Sequence, residues 1–184
     1  MTIDPKAAAA ALSDIDAVGA MVRQSVFYRR ASLIMILWGG LVALGYLAEW
    51  LFPLQAGTVW VCVYVLGFTG NVALPAVDRR GDSARRFDWR LFAAFFLFFF
   101  FGFLWSQGIA HFSPRQLGAF WTSYFMLAYM LAGLWAGRAL IVIGCGVTAL
   151  TMLGFVYAGP WFSPWMALVN GGGLVLGGLW MRRA

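Results

Sequence analysis

Residues 31–51 read ASLIMILWGGLVALGYLAEWL, and the only charged side chain in this stretch is Glu49, near its end. About 20 apolar residues are enough for a helix to cross roughly 30 Å of hydrocarbon, so the stretch predicts a transmembrane helix. The rest of the chain is similar in composition, since its 184 residues are 62% hydrophobic and only 11% charged. Soluble domains carry about 25% charged residues. The composition therefore excludes a soluble enzyme, a disordered chain and a disulfide-stapled secreted module.

Five further stretches share this character, which gives six predicted spans. The spans cover residues 31–51, 56–76, 91–110, 116–136, 139–158 and 162–180. Glu49 is the only charged residue in all six, as expected because a charge at the centre of a spanning helix costs about 2.5–3.5 kcal/mol. We expect an all-α polytopic membrane protein of three helical hairpins. Its membrane domain covers 31–180, between an N-terminal segment at 1–30 and a short tail at 181–184.

The positions of Lys and Arg predict the orientation of the chain. Of the 13 Lys and Arg residues, only Arg115 falls on the side of the six-span topology that is opposite to the termini. Cytoplasmic segments carry the excess of positive charge in membrane proteins, so we expect both termini to be cytoplasmic. The preference for Arg over Lys and the many Ala and Gly residues are typical of a GC-rich bacterial genome. We therefore predict a bacterial inner membrane protein.

The N-terminal segment 1–30 has apolar residues at helical spacing. They are Leu12, Ile15, Val18, Val22 and Val26. This pattern predicts an amphipathic helix that lies on the cytoplasmic membrane surface and leads into the first span. The alternative is a helical connector without a role of its own.

Each of the three predicted hairpins has a similar corner between its two helices. The corners read WLFP at 50–53, HFSP at 111–114 and WFSP at 161–164. Proline suits a short turn or the first turn of a returning helix, and Trp favours the headgroup layer. The corners predict either triplication of one two-helix unit around an axis normal to the membrane or three independent hairpins that obey the same interface rules.

Small residues at helical spacing predict close helix crossings. Gly133 and Gly137 form one GxxxG pair and Gly173 and Gly177 form another. Such pairs let helix backbones approach each other within a membrane.

The residues that catalysis would need are scarce. His111 is the only histidine, the two cysteines Cys62 and Cys145 have no CxxC spacing, and no predicted span contains a lysine. These features exclude a bis-histidine haem, a retinal-type Schiff base and the usual zinc motifs. We predict a non-enzymatic protein without a cofactor or a metal. The positive charges lie beside spans and suit anionic lipid, so no nucleic-acid partner is expected.

Glu49, Gln107 and His111 form the first candidate site, because all three lie at the outer end of predicted outward-going helices. If the hairpins pack around a common axis, these side chains converge at an outward-facing mouth as a ligand-binding or pH-responsive site. The alternative is a set of unrelated interfacial side chains.

Asn71, Asn170 and Thr148 are candidate polar groups within the spans. Polar groups inside a membrane are costly and frequently functional, and these three are candidates for lining a cavity at the midplane. Interhelical hydrogen bonds are their ordinary structural role.

A charged loop between the second and third spans is the candidate cytoplasmic partner surface. Its residues are Asp78, Arg79, Arg80, Arg85 and Arg86.

Two functions follow from these features. The first is an accessory, sensor or regulatory membrane protein that acts through cytoplasmic or intramembrane partners. The alternative is a transporter or channel for a small solute, as a single chain or a homo-oligomer. A polar cavity that reaches the midplane favours transport, whereas a sealed apolar interior favours the accessory function.

Overall fold

The computed structural model describes residues 5–77 and 89–182. Within these two ranges every regular element is a helix, and there is no strand. We number six helices in chain order. They are α1 (Pro5–Leu51), α2 (Ala56–Val77), α3 (89–109), α4 (Pro114–Ala136), α5 (Arg138–Tyr157) and α6 (162–181). Helices α3 and α6 each contain a π-helical segment, at Leu104–Ile109 and Ala167–Gly172.

Four of the described helices are long and apolar enough to cross a membrane. The qualifying stretches are Ala31–Leu51, Pro53–Asn71, Pro114–Ala136 and Arg138–Tyr157. A shorter apolar helix covers Ala93–Ile109. These lengths and compositions are those of a helical membrane protein.

Helix α1 runs without interruption from Pro5 to Leu51, over 47 residues. The sequence predicts a surface helix within residues 1–30 that leads into the first span, and the structure joins both parts into one helix. No proline occurs between Pro5 and Pro53, so nothing in this stretch removes a backbone donor or forces a kink.

Helix α1 packs between α2 and α6, and α6 in turn packs against α5. The crossing of α1 with α6 is close because glycines face each other. A Cβ atom added to Gly39 would lie 2.7 Å from the carbonyl oxygen of Gly171, and one added to Gly178 would lie 2.8 Å from that of Ser32. The Ser32 hydroxyl donates a 2.6 Å hydrogen bond to the Gly178 carbonyl. Small residues therefore set this interface, as in other membrane helix pairs.

Helices α4 and α5 form an equally close hairpin. Gly137 joins them with a φ of 137°, a conformation that favours glycine. A Cβ atom on Gly133 would lie 2.6 Å from the Ile141 side chain, and one on Gly144 would lie 2.9 Å from the Met126 carbonyl oxygen. Gly133 is thus a close-contact residue, as its GxxxG spacing predicts, while Gly137 makes the turn.

Helix α3 is attached through aromatic rings. Its Phe98 ring stacks 4.0 Å from the Tyr124 ring of α4, and its Phe95 ring lies 6.1 Å from the Phe68 ring of α2. Large side chains keep α3 further from its neighbours than glycine contacts would, so α3 lies at the edge of the bundle. Much of its phenylalanine-rich surface is exposed, as expected of a surface that faces lipid.

The three proline corners begin the returning helices in related ways. Pro53 begins a 3-10 turn before α2, Pro114 is the first residue of α4, and Pro164 lies in the first turn of α6. The side chain of Ser113 and that of Gln116 cap the start of α4 reciprocally, which satisfies two backbone donors. The interfaces between successive hairpins differ, because rings join α2 to α3 whereas glycines line the α4–α5 and α6–α1 contacts.

Candidate functional site

Residues from all three hairpins meet in one shallow cavity of about 230 Å³. It lies where the three proline corners converge, and we call it the corner cavity. Its lining residues are Glu49, Trp50, Pro53, Ala56, Pro114 and Ser163. Four of them are close together in the sequence, and the packing of α1 against α4 and α6 brings Pro114 and Ser163 to them.

Among the described residues, Glu49 supplies the only charged group that lines the corner cavity. Its side chain is half-buried near the end of α1. The indole Nε1 of Trp60 donates a 2.9 Å hydrogen bond to Glu49 Oε2, and the Trp60 ring packs edge-on against Tyr46 with centroids 4.9 Å apart. No salt bridge pairs this carboxylate with a cation within residues 5–77 and 89–182. The charge is therefore oriented by an indole and has no counter-ion there.

A buried apolar cluster lies next to residues of the corner cavity in sequence, since Phe162 precedes Ser163 and Tyr46 lies about one helical turn before Trp50. Tyr46, Ala119, Phe162, Met166 and Ala167 form it, and each is less than 7% exposed. The cluster joins α1, α4 and α6.

Three polar side chains make a hydrogen-bonded group between the same helices. Asn170 Nδ2 donates to Thr122 Oγ1 over 2.8 Å. The Tyr46 hydroxyl lies 3.4 Å from the same Thr122 oxygen and 3.3 Å from the Gly118 carbonyl oxygen, to which it donates. All three side chains are buried. Asn170 Oδ1 is also buried and has no protein partner.

The structure brings only Glu49, of the first candidate set, to the corner cavity. Gln107 and His111 are exposed and do not line it. His111 has a φ of 46°, and its Nδ1 lies 3.2 Å from the Ile109 carbonyl oxygen. Both residues belong to the end of α3 and its turn, and α3 lies at the edge of the bundle, where its aromatic rings hold it.

The second candidate set is distributed over separate contacts. Asn71 Oδ1 accepts a 3.2 Å hydrogen bond from Trp38 Nε1, between α1 and α2. Asn170 belongs to the group with Thr122, while Thr148 Oγ1 on α5 is buried without a protein partner. None of the three lines the corner cavity or a second, largely apolar groove of about 210 Å³ on α4 and α5.

The third candidate set falls in the loop between α2 and α3. Asp78, Arg79, Arg80, Arg85 and Arg86 lie outside the described residues.

Arg115 has a structural role that the sequence analysis missed. Its Nη2 donates hydrogen bonds to the carbonyl oxygens of Phe155 and Gly154, the last turn of α5. Its guanidinium also lies 5.3 Å and 5.4 Å from the ring centroids of Phe155 and Phe162. A cation at a helix C-terminus satisfies free carbonyls and suits the helix dipole. The sequence contained one indication of this role, since Arg115 is the only basic residue on its side of the predicted topology.

The chain matches no protein-family model, no curated protein and no solved structure. Geometry and sequence pattern are therefore the only grounds on which its function can be proposed.

Proposed function

We propose that the chain crosses the membrane six times, with both termini in the cytoplasm. Besides the four long apolar helices, Ala93–Ile109 is an apolar helix and residues 162–181 are helical throughout. About 20 residues at roughly 1.5 Å each match the hydrocarbon thickness. Six crossings put the two termini on the same side.

The positive charges support this orientation. Twelve of the 13 Lys and Arg residues then lie on the cytoplasmic side, as the positive-inside rule requires. The exception, Arg115, is used at the C-terminus of α5 through its hydrogen bond to the Phe155 carbonyl. With the Arg-rich composition, this arrangement favours a bacterial inner membrane.

We also propose that the three hairpins are a threefold repeat of one two-helix unit. Trp60 and Trp121 both lie seven residues after a corner proline. Trp60 packs on Tyr46 of α1, and Trp121 packs on Phe99 of α3, so each tryptophan contacts the preceding helix of its own hairpin. Trp50 and Trp161, which begin the first and third corners, have centroids 5.4 Å apart.

We propose that the protein acts through partners as an accessory, sensor or regulatory membrane protein. A set of buried residues that are bonded to one another carries this proposal. Tyr46, Thr122 and Asn170 are buried and bonded to one another, next to an apolar cluster that includes Phe162 and Met166. A conducting protein needs a polar path at this depth, whereas a protein that transmits a signal through contacts does not.

Helix α1 supports a cytoplasmic interaction surface. Its 47 residues extend over about 70 Å at roughly 1.5 Å per residue, and the hydrocarbon takes up only about 30 Å of that length. A helical extension of about 40 Å therefore continues beyond the membrane. In the proposed topology it lies on the same side as the charged loop at 78–86.

The proposal is tested by purification from native membranes of the full chain and of a variant that lacks residues 1–30. We expect the full chain to retain a partner in fixed stoichiometry, and the shortened chain to lose it with unchanged membrane level and melting temperature. Leu97→Ala, a change on an exposed position of α3, is the matched control and should keep the partner. Identical behaviour of the full and shortened chains would contradict a role for the α1 extension.

A transporter or channel for a small solute is the second candidate, in single-chain or oligomeric form. The observation that favours it is the buried Asn170 Oδ1, which has no partner in the protein, inside a π-helical segment. Such segments are frequent at functional sites. Solute flux through liposomes that contain only this chain, reduced by Asn170→Leu, would replace the partner-based function with transport.

A further inference from the structure

We propose that the corner cavity binds a single ammonium group, which Glu49 recognises by charge and neighbouring tryptophan rings recognise through their faces. The site lies at the end of the bundle where the three proline corners meet. It does not depend on the partner-based function, because its evidence is the cavity itself.

The charge of Glu49 selects a cation. One carboxylate oxygen accepts the hydrogen bond from Trp60 Nε1 at 2.9 Å, which orients the carboxylate. The other oxygen, Oε1, has no hydrogen bond within the described part of the chain. An ammonium group can donate to it and neutralise it. Anionic and uncharged ligands would leave this charge unpaired at the membrane edge, where that is unfavourable.

Arg115 does not fulfil this role, although it follows Pro114 of the cavity wall. Its guanidinium bonds to the Phe155 carbonyl and lies over the rings of Phe155 and Phe162. These contacts direct it toward the end of α5. The nearest basic residue in sequence to the cavity is thus committed elsewhere and leaves Glu49 open to a cationic ligand.

The aromatic residues favour an ammonium group over a bare metal ion. Trp50 lines the cavity, and Trp161 packs against it with centroids 5.4 Å apart and an interplanar angle of 32°. Both rings are exposed, by 44% and 63%. Indole faces attract organic cations, and rings combined with a carboxylate are the usual recognition set for alkylammonium groups. A metal ion would need several oxygen ligands, and within residues 5–77 and 89–182 Glu49 is the one carboxylate that lines the cavity.

The dimensions suit a small group. A volume of about 230 Å³ is below the roughly 300–1,000 Å³ of pockets that enclose drug-sized ligands. Tyr46 and Phe162, which are near lining residues in sequence, are themselves buried in a packed cluster with Met166. The ligand therefore inserts its ammonium group and leaves the rest of its structure outside.

Two sources can supply such a group. One is the headgroup of phosphatidylethanolamine, since the proposed topology puts the corner cavity at the membrane surface. The other is a soluble primary amine. The recognition chemistry is the same for both, so the experiment has an arm for each source.

The test follows the indole N–H resonance of Trp60 in the full chain, labelled with ¹⁵N-tryptophan and placed in lipid nanodiscs. Trp60→Phe assigns the resonance. In one arm, ethanolamine is added to nanodiscs of phosphatidylglycerol, with sodium chloride as the control for ionic strength. In the other arm, part of the phosphatidylglycerol is replaced by phosphatidylethanolamine. We expect a saturable shift of the Trp60 resonance in at least one arm.

Glu49→Gln keeps the side-chain shape and an acceptor for Trp60 but removes the charge. We expect its apparent affinity to fall by about tenfold or more, which corresponds to the loss of one charge-assisted contact. Glu49→Asp keeps the charge and should retain the response, which separates loss of binding from loss of folding. A response in the lipid arm alone identifies a headgroup site, and a response to ethanolamine alone identifies a soluble amine.

Three results would overturn the proposal. The first is a Trp60 resonance that stays unchanged in both arms. The second is a response of Glu49→Gln equal to that of the unchanged chain, and the third is an equal effect of sodium chloride and ethanolamine.

Discussion

At the scale of single residues, three of the interhelical hydrogen bonds match a polar side chain to a specific neighbour. Asn170 donates to Thr122, Trp60 donates to Glu49 and Trp38 donates to Asn71. Each of these bonds joins two different helices. In a membrane a polar group has no water to replace a lost partner, so such bonds select one packing of the helices. The sequence showed which residues are polar, but it did not show which would be partners.

Thr122→Val tests the hydrogen bond from Asn170. Valine keeps the shape of threonine but leaves Asn170 Nδ2 without its 2.8 Å acceptor. Interhelical hydrogen bonds of this kind contribute about 0.6 kcal/mol on average and up to about 1.7 kcal/mol. We expect the free energy of unfolding, measured by reversible denaturation in mixed micelles, to fall within that range. Thr69→Val on an exposed position of α2 is the control, and an equal loss there would show that the bond contributes nothing.

At the scale of helices, the side chains at an interface decide how closely two helices pack. Helix α1 approaches α6 at Gly39 and Gly171, whereas α3 approaches α4 through stacked rings such as Phe98 and Tyr124. Without a hydrophobic driving force between helices in lipid, van der Waals packing at short distance holds them together. The α1–α6 crossing is therefore the contact that joins the first and last thirds of the chain.

Two adjacent glycines of α1 provide a matched test of that crossing. A Cβ atom on Gly39 would lie 2.7 Å from a backbone oxygen of α6, whereas one on Gly40 would have no atom within 4 Å. Overpacking of this kind costs about 1–3 kcal/mol, so we expect Gly39→Ala to lower the free energy of unfolding by that amount. Gly40→Ala should be neutral or slightly stabilising, because alanine favours helix formation. Equal effects of the two changes would contradict the crossing.

At the scale of the whole molecule, the three corners meet at one end of the bundle and the chain alternates between its two ends. The corner cavity includes Pro53 and Pro114 as well as Ser163, which precedes the third corner proline. In the proposed six-span topology this end faces away from the cytoplasm, together with Arg115. The other end contains the long extension of α1.

Reporter fusions test this topology. Alkaline phosphatase, which is active only outside the cytoplasm, should be active when fused after residue 54 or 113 and inactive when fused after residue 137. A fluorescent protein fused after Ala184 should be fluorescent, because it folds in the cytoplasm. The physical reason is the retention of Lys and Arg on the cytoplasmic side. Phosphatase activity after residue 137 would contradict six crossings with cytoplasmic termini.

The sequence by itself determined that this is a helical membrane protein and where its apolar helices lie. Hydrophobic length and the exclusion of charge from the bilayer are local properties of each segment, so they can be read along the chain. The glycine spacings likewise predicted close crossings near Gly133 and Gly177, which the structure contains. The surface helix predicted within residues 1–30 is not a separate element in the structure. Helix α1 continues from Pro5 to Leu51, because no residue in between breaks the helix.

The tertiary structure alone decided which candidates share a site. The sequence predicts that Glu49, Gln107 and His111 all lie at the outer ends of helices. Only Glu49 reaches the corner cavity, where Trp60 donates a hydrogen bond to it. The lateral position of a helix depends on how closely side chains from different helices fit, and that is a property of pairs of helices. Depth in the membrane follows from one segment at a time, whereas the neighbours of a residue follow from the whole bundle.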